Sequence, residues 1–130
     1  MRAVDTNVVV RYLAADHPSQ TARAKTLIDG SEVWISLTVV LEAEWVLRRS
    51  YGFRPAAITA SLRTLVGQPT VQAENPQALA WALDLCDTGM DFADALHVAV
   101  AGHCNGFDTF DAALAKAAVH AGIGNVSLLQ

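Results

Sequence analysis

The chain has 130 residues, 52% hydrophobic and 17% charged, with a net charge of −4. A chain of this length makes one domain, residues 1–130, and buries roughly two-thirds of its unfolded surface, so it needs neither disulfides nor a structural metal to fold. The composition excludes a disordered chain, and the acidic balance, with no basic stripe, argues weakly against nucleic-acid binding.

The opening Met1-Arg2-Ala3-Val4-Asp5 has no long apolar segment of a secretory leader. No apolar run is long enough to span a bilayer. Cys86 and Cys104 are too far apart for a Cys-x-x-Cys motif. They are expected as buried, reduced thiols, which suits a cytoplasmic protein.

In chain order, Arg2 to Val4 predicts a short strand ending at Asp5. Thr6 or Asn7 caps a helix through Leu13. Asp16 to Ser19 is a loop, and Ser19 caps a helix over Gln20 to Asp29 that stops at Gly30. Val33 to Ser36 reads as a buried strand. Thr38 caps a long amphipathic helix to about Tyr51, and Gly52 ends it. Pro55 sits in the first turn of a helix to about Val66. Thr70 to Ala73 is a brief strand, and Pro76 opens a helix to about Asp87. Asp91 caps a helix through His103. Gly106 to Phe110 is a strand, Asp111 caps a helix through His120, and Asn125 to Leu129 is the last strand. Short strands alternating with helices predict an α/β fold with a parallel sheet.

In such sheets ligands sit beyond the carboxyl ends of the strands. Asp5, Glu42, Asp94 and Asp111 all fall at strand ends or helix starts and are expected on that rim. Each acid also has a purely structural use. Asp5 and Asp111 can serve as helix caps, and Asp91 with Asp94 three residues on resembles a capping box. Glu44 has Arg48 one turn later, the favourable order for a surface ion pair worth about 0.3–0.5 kcal/mol. Glu42 has no such cation, which makes it the better metal candidate. Two carboxylates about 5 Å apart repel by roughly 3 kcal/mol at an effective dielectric of about 20. A group of them therefore raises its own pKa values or binds a cation. Oxygen-only donors suit Mg²⁺ or Mn²⁺. Zinc is disfavoured, because His17, His97, His103 and His120 lack ligand spacing. His97 is expected as a partly buried structural residue, and Trp34, Trp45 and Trp81 as core or interface residues.

Asp5-Thr6-Asn7 after an opening strand resembles the first motif of PIN-domain nucleases. Ile35-Ser36-Leu37-Thr38 followed by Glu42 resembles the second, Asp91-Phe92-Ala93-Asp94-Ala95-Leu96 the third, and Thr109-Phe110-Asp111 the fourth. The four occur in order and cover essentially the whole chain. A stand-alone chain of this length resembles the VapC toxins of bacterial type II toxin–antitoxin modules. The resemblance implies a three-layer sandwich with a central, mainly parallel sheet of four to five strands flanked by helices. It implies an Mg²⁺- or Mn²⁺-dependent endoribonuclease acting on RNA, a homodimer, and inhibition by a small VapB-type antitoxin whose tail occupies the acidic site. Asp5, Glu42, Asp94 and Asp111 would then be metal-binding and catalytic. Thr6, Asn7, Asp91 and Thr109 would support them.

A receiver domain would need adjacent acids after the first strand and a late lysine, and Lys116 lies within a helix. A haloacid-dehalogenase-type enzyme would need Asp-x-Asp, where Asn7 stands second. The remaining alternative is a catalytically silent binding module.

Overall fold

Every strand in the protein is two or three residues long, and every pairing is parallel. Parallel neighbours cannot be joined by a tight turn, so each pair needs a helical crossover between its strands. The chain supplies those crossovers. The computed structural model describes residues Met1–Gln130. Its elements are β1 (Arg2–Ala3), α1 (Thr6–Ala14), α2 (Pro18–Gly30), β2 (Val33–Ile35), α3 (Leu37–Arg49), α4 (Pro55–Val66), β3 (Val71–Ala73), α5 (Pro76–Asp87), α6 (Phe92–Val100), β4 (Phe107–Thr109), α7 (Ala112–His120) and β5 (Val126–Leu128).

Two compact units result, Met1–Pro76 and Gln77–Gln130. The first holds a three-stranded sheet in the order β1-β2-β3. Arg2 pairs with Val33 and Ala3 with Trp34, while Val33, Trp34 and Ile35 pair with Val71, Gln72 and Ala73. Burial alternates along β3, where Val71 and Ala73 point inward and Gln72 outward, as the pleat requires. Helix α1 packs against α2 and α3, and α3 against α4. On α3 the buried residues Val40, Ala43, Glu44 and Leu47 recur at helical spacing, one apolar stripe with an acid in it.

The second unit holds a two-stranded sheet in which Phe107, Asp108 and Thr109 pair with Val126, Ser127 and Leu128. Helix α7 crosses between these strands and packs on both. The buried side of α6 is Phe92, Ala95, Leu96, Val98 and Ala99.

The α/β class and the parallel pairing agree with the sequence reading. The five expected strands are present but divide three and two between separate sheets, where a single central sheet is expected. Strands this short offer only one or two ladder bonds at each edge, and each sheet is completed within its own unit.

Several helix boundaries differ for local reasons. Helix α2 begins at Pro18, not Gln20, because the fixed φ of proline suits the first helical position. His17 is its cap, with Nδ1 accepting the Gln20 N–H at 3.2 Å. Ser36 rather than Thr38 caps α3, accepting the Val39 N–H at 3.1 Å. Helix α6 stops at Val100, three residues short of His103, because the chain tightens there. Ala101 and Gly102 donate to carbonyls three residues back, each at 3.2 Å. Cys104 consequently lies in an exposed turn, not in the interior, while Cys86 is half-buried. Trp45 and Trp81, at 52% and 39% exposure, are not core residues. No helix is long and apolar enough to cross a membrane.

Leu47 is completely buried at the centre of the α3 stripe. Leu47→Ala should cost about 2–5 kcal/mol. Urea unfolding should show this as a lower midpoint with an unchanged slope.

Candidate functional site

The carboxyl ends of parallel strands face one way, so whatever follows β1, β2 and β3 gathers on one edge of the first unit's sheet. Asp5 follows β1, Ser36 follows β2 and Glu74 follows β3. Helices start after β1 and β2, and their first N–H groups have no acceptor within the helix. Side chains at this edge supply them. Asp5 Oδ1 accepts the Val8 N–H at 3.3 Å and caps α1. Thr6 and Asn7, the expected caps, are instead the first two helical residues. Glu74 Oε1 accepts the Leu37 N–H at 2.9 Å, at the start of α3. Sequence inspection missed Glu74; its position directly after a strand, like that of Asp5, was the available signal.

Thr6 is buried, and its hydroxyl donates to Glu42 Oε1, tying α1 to α3. Glu42 is exposed. Glu44, two residues on and on another side of the helix, is only 5% exposed and binds Arg48 Nε at 2.8 Å. Glu44 is therefore not the surface residue expected. Its place on the apolar stripe buries it, and its carboxylate is committed to Arg48. Asn7 is exposed beside Val8 and Arg11 in a pocket between α1 and α2.

In the second unit, Asp91 caps α6, with Oδ2 accepting the Asp94 N–H at 3.2 Å. Asp94 is the third helical residue, as the capping-box pattern predicts. Asp111 Oδ1 accepts two N–H groups, from Ala113 at 2.9 Å and Leu114 at 3.1 Å, and so caps α7. The Asp111 N–H in turn donates to Thr109 Oγ1 at 2.9 Å, so Thr109 fixes the turn that carries the acid. One oxygen of Asp111 carries the cap and the other is left for a ligand. Asp108 is exposed on β4.

Asp94 stands apart electrostatically. Burial pushes its carboxyl above the usual carboxylate range, and the charges of Asp91 and Asp111 push it further. Nearby His97 works the other way. His97 is exposed, not partly buried as expected, because it lies opposite the Phe92–Ala95–Leu96–Ala99 side of α6.

The acids nominated for a metal thus fall in two pairs, Asp5 with Glu42 in the first unit and Asp94 with Asp111 in the second. In kind, the donors fit a hard divalent ion. They are carboxylate oxygens, and Asp94 is a half-buried carboxylate repelled by two others, which is the situation a cation relieves. No three His, Cys, Asp or Glu side chains gather at ligand distance in the structure.

A family model described as PIN domain matches residues 2–120. No curated protein matches the chain.

Folded Asp94 keeps its proton to a higher pH than it does in the unfolded chain. Its ionisation therefore weighs against the folded state from its unfolded pKa upward, and fully so above the raised folded value. Asp94→Asn removes that cost, so the metal-free variant should melt higher than wild type near pH 7. The difference should shrink as the pH falls through the raised pKa. Asp111→Ala should do the reverse at neutral pH, losing about 1 kcal/mol with its cap. Thermal melts of both variants in EDTA check the pair of signs.

Proposed function

The chain belongs to the PIN domain family, and on that premise we propose that it is a divalent-metal-dependent endoribonuclease, the toxin of a VapBC-type toxin–antitoxin module. PIN domains are a nuclease-type fold whose nucleases bind nucleic acid and generally use divalent metals. The observation that carries the reading is the carboxylate Asp94, half-buried and flanked by the like charges of Asp91 and Asp111. A folded protein that keeps such an arrangement stores repulsion that a bound cation offsets.

Asp5, Glu42, Asp94 and Asp111 would hold Mg²⁺ or Mn²⁺. Such an ion, when bound, supplies Lewis-acid polarisation of the scissile phosphate and lowers the pKa of an attacking water. The side chains do the rest. The Thr6 hydroxyl orients Glu42, Thr109 holds the turn at Asp111, and Asp91 fixes the start of the helix that carries Asp94. One carboxylate accepts the water's proton. In-line attack leaves a 5′-phosphate and a 3′-hydroxyl. The proposed toxin works in the cytoplasm as a homodimer, held silent by a small VapB-type antitoxin whose tail lies in the acidic site.

Cleavage of total RNA by the purified protein should vanish in EDTA and return with Mn²⁺, and Asp5→Asn should reduce it to background. Cleavage that survives EDTA rules out the metal mechanism. A folded protein that cuts nothing in Mn²⁺ is a catalytically silent binding module instead. Expression alone should arrest growth, and a small co-expressed protein should relieve the arrest. Normal growth with abundant folded protein removes the toxin role and leaves the nuclease test standing.

A further inference from the structure

Helices α1 and α2 of the first unit enclose a pocket of about 300 Å³. Val8, Ala24 and Leu27 form an apolar wall, and Arg11 and Arg23 stand beside it with Asn7. That volume is at the low end for small-molecule sites, about 300–1,000 Å³.

The two arginines differ in how they are held. Arg11 Nε donates to Gln20 Oε1 at 2.6 Å, and Nη1 reaches Tyr51 Oη at 2.9 Å and Asp16 at 3.5 Å. Its guanidinium is fixed in orientation while the Nη2 donors remain unspent. Arg23 is exposed and has no hydrogen bond or ion pair within the chain. A fixed fork beside a free one is a geometry for planar or phosphate groups. The pocket also lies close to the catalytic rim by covalent geometry. Arg11 is six residues beyond Asp5, which at about 1.5 Å per residue places it roughly 9 Å along the same helix. The cations favour this unit as well. Met1–Pro76 has eight Lys and Arg against seven acids, a net charge of +1, whereas Gln77–Gln130 has one Lys against six acids, a net charge of −5.

We propose that this pocket is a nucleotide subsite for single-stranded RNA, the base lying on Val8, Ala24 and Leu27 and the phosphate between Arg11 and Arg23. The assignment rests on the RNA-substrate reading of the rim and adds where the strand is gripped next to the cut.

The test is binding of a fluorescently labelled single-stranded RNA in EDTA, read by anisotropy across a salt series, with cleavage in Mn²⁺ measured separately. Arg23→Glu should weaken binding by about tenfold or more. Arg23→Ala should make the salt slope shallower by about 0.7, one phosphate contact on a single strand. Arg54→Glu makes the same charge change at the start of α4, outside the pocket, and should have a much smaller effect. Leu27→Ala should weaken binding at unchanged salt slope. Equal loss from Arg23→Glu and Arg54→Glu overturns the subsite. So does wild-type protein that binds no RNA, or binding indifferent to Arg23, the outcome for a pocket that receives a protein partner. Cleavage with Arg23-independent binding keeps the ribonuclease reading and overturns the subsite. Arg23-dependent binding without cleavage in Mn²⁺ does the opposite.

Discussion

The placement of the site acids depends on one constraint: helix N-termini expose N–H groups that must find acceptors. In this protein carboxylates meet that need. Asp5 caps α1, Asp91 caps α6 and Asp111 caps α7. Glu74 serves the start of α3 from a neighbouring strand end. Each contact fixes one carboxylate oxygen by a hydrogen bond and the partial positive charge of the helix end favours the anion. The second oxygen remains for something else. Capping and metal binding are thus two uses of one side chain, and a cap contact is no argument against a ligand role. Asp111 is compatible with both uses, since both of its N–H contacts fall on Oδ1.

Glu42 and Glu44 show how far a sequence pattern reaches. The two acids lie two apart on α3, so they point to different sides of it. The choice of Glu42 rested on the absence of a cation one turn away, and the structure gives Glu44 to Arg48. The burial of Glu44 was equally legible, because it belongs to the Val40–Ala43–Leu47 stripe. Pairing rules alone concealed it. A surface pair contributes little, whereas at this burial the loss of one partner leaves a charge with nowhere to go.

Element types were legible because the apolar periods are distinct and Pro55, Pro76, Asp91 and Asp111 mark helix starts by chemistry that acts locally. The misplaced boundaries share a cause. Ser19, Thr38 and Thr6 are all good caps by residue type, but His17, Ser36 and Asp5 each sit closer to the preceding element and take the position first. The end of α6 was not legible because the turn at Ala101–Cys104 is set by backbone hydrogen bonds and by Gly102, whose missing Cβ leaves room for Trp81. The division of the strands into two sheets was beyond reach for a related reason. Strands of two or three residues carry too little pattern to specify their neighbours. What the sequence could not supply for the site is the environment of Asp94, since burial and the approach of Asp111 are tertiary facts.

The distribution of charge resolves the tension between a net charge of −4 and a nucleic-acid substrate. Averaged over the chain, the charge repels phosphate. Taken by unit, the excess negative charge lies in Gln77–Gln130, the unit with Asp91, Asp94 and Asp111, while nearly all the cations lie in Met1–Pro76. A divalent ion on the carboxylates, as proposed, would invert the local sign there. Arginines on α1 and α2 need then attract only the flanking strand, which fits a few placed cations better than a continuous basic stripe. On the proposed function, the acidic composition would belong to a metal-dependent site, and binding to RNA should depend on particular arginines more than on net charge.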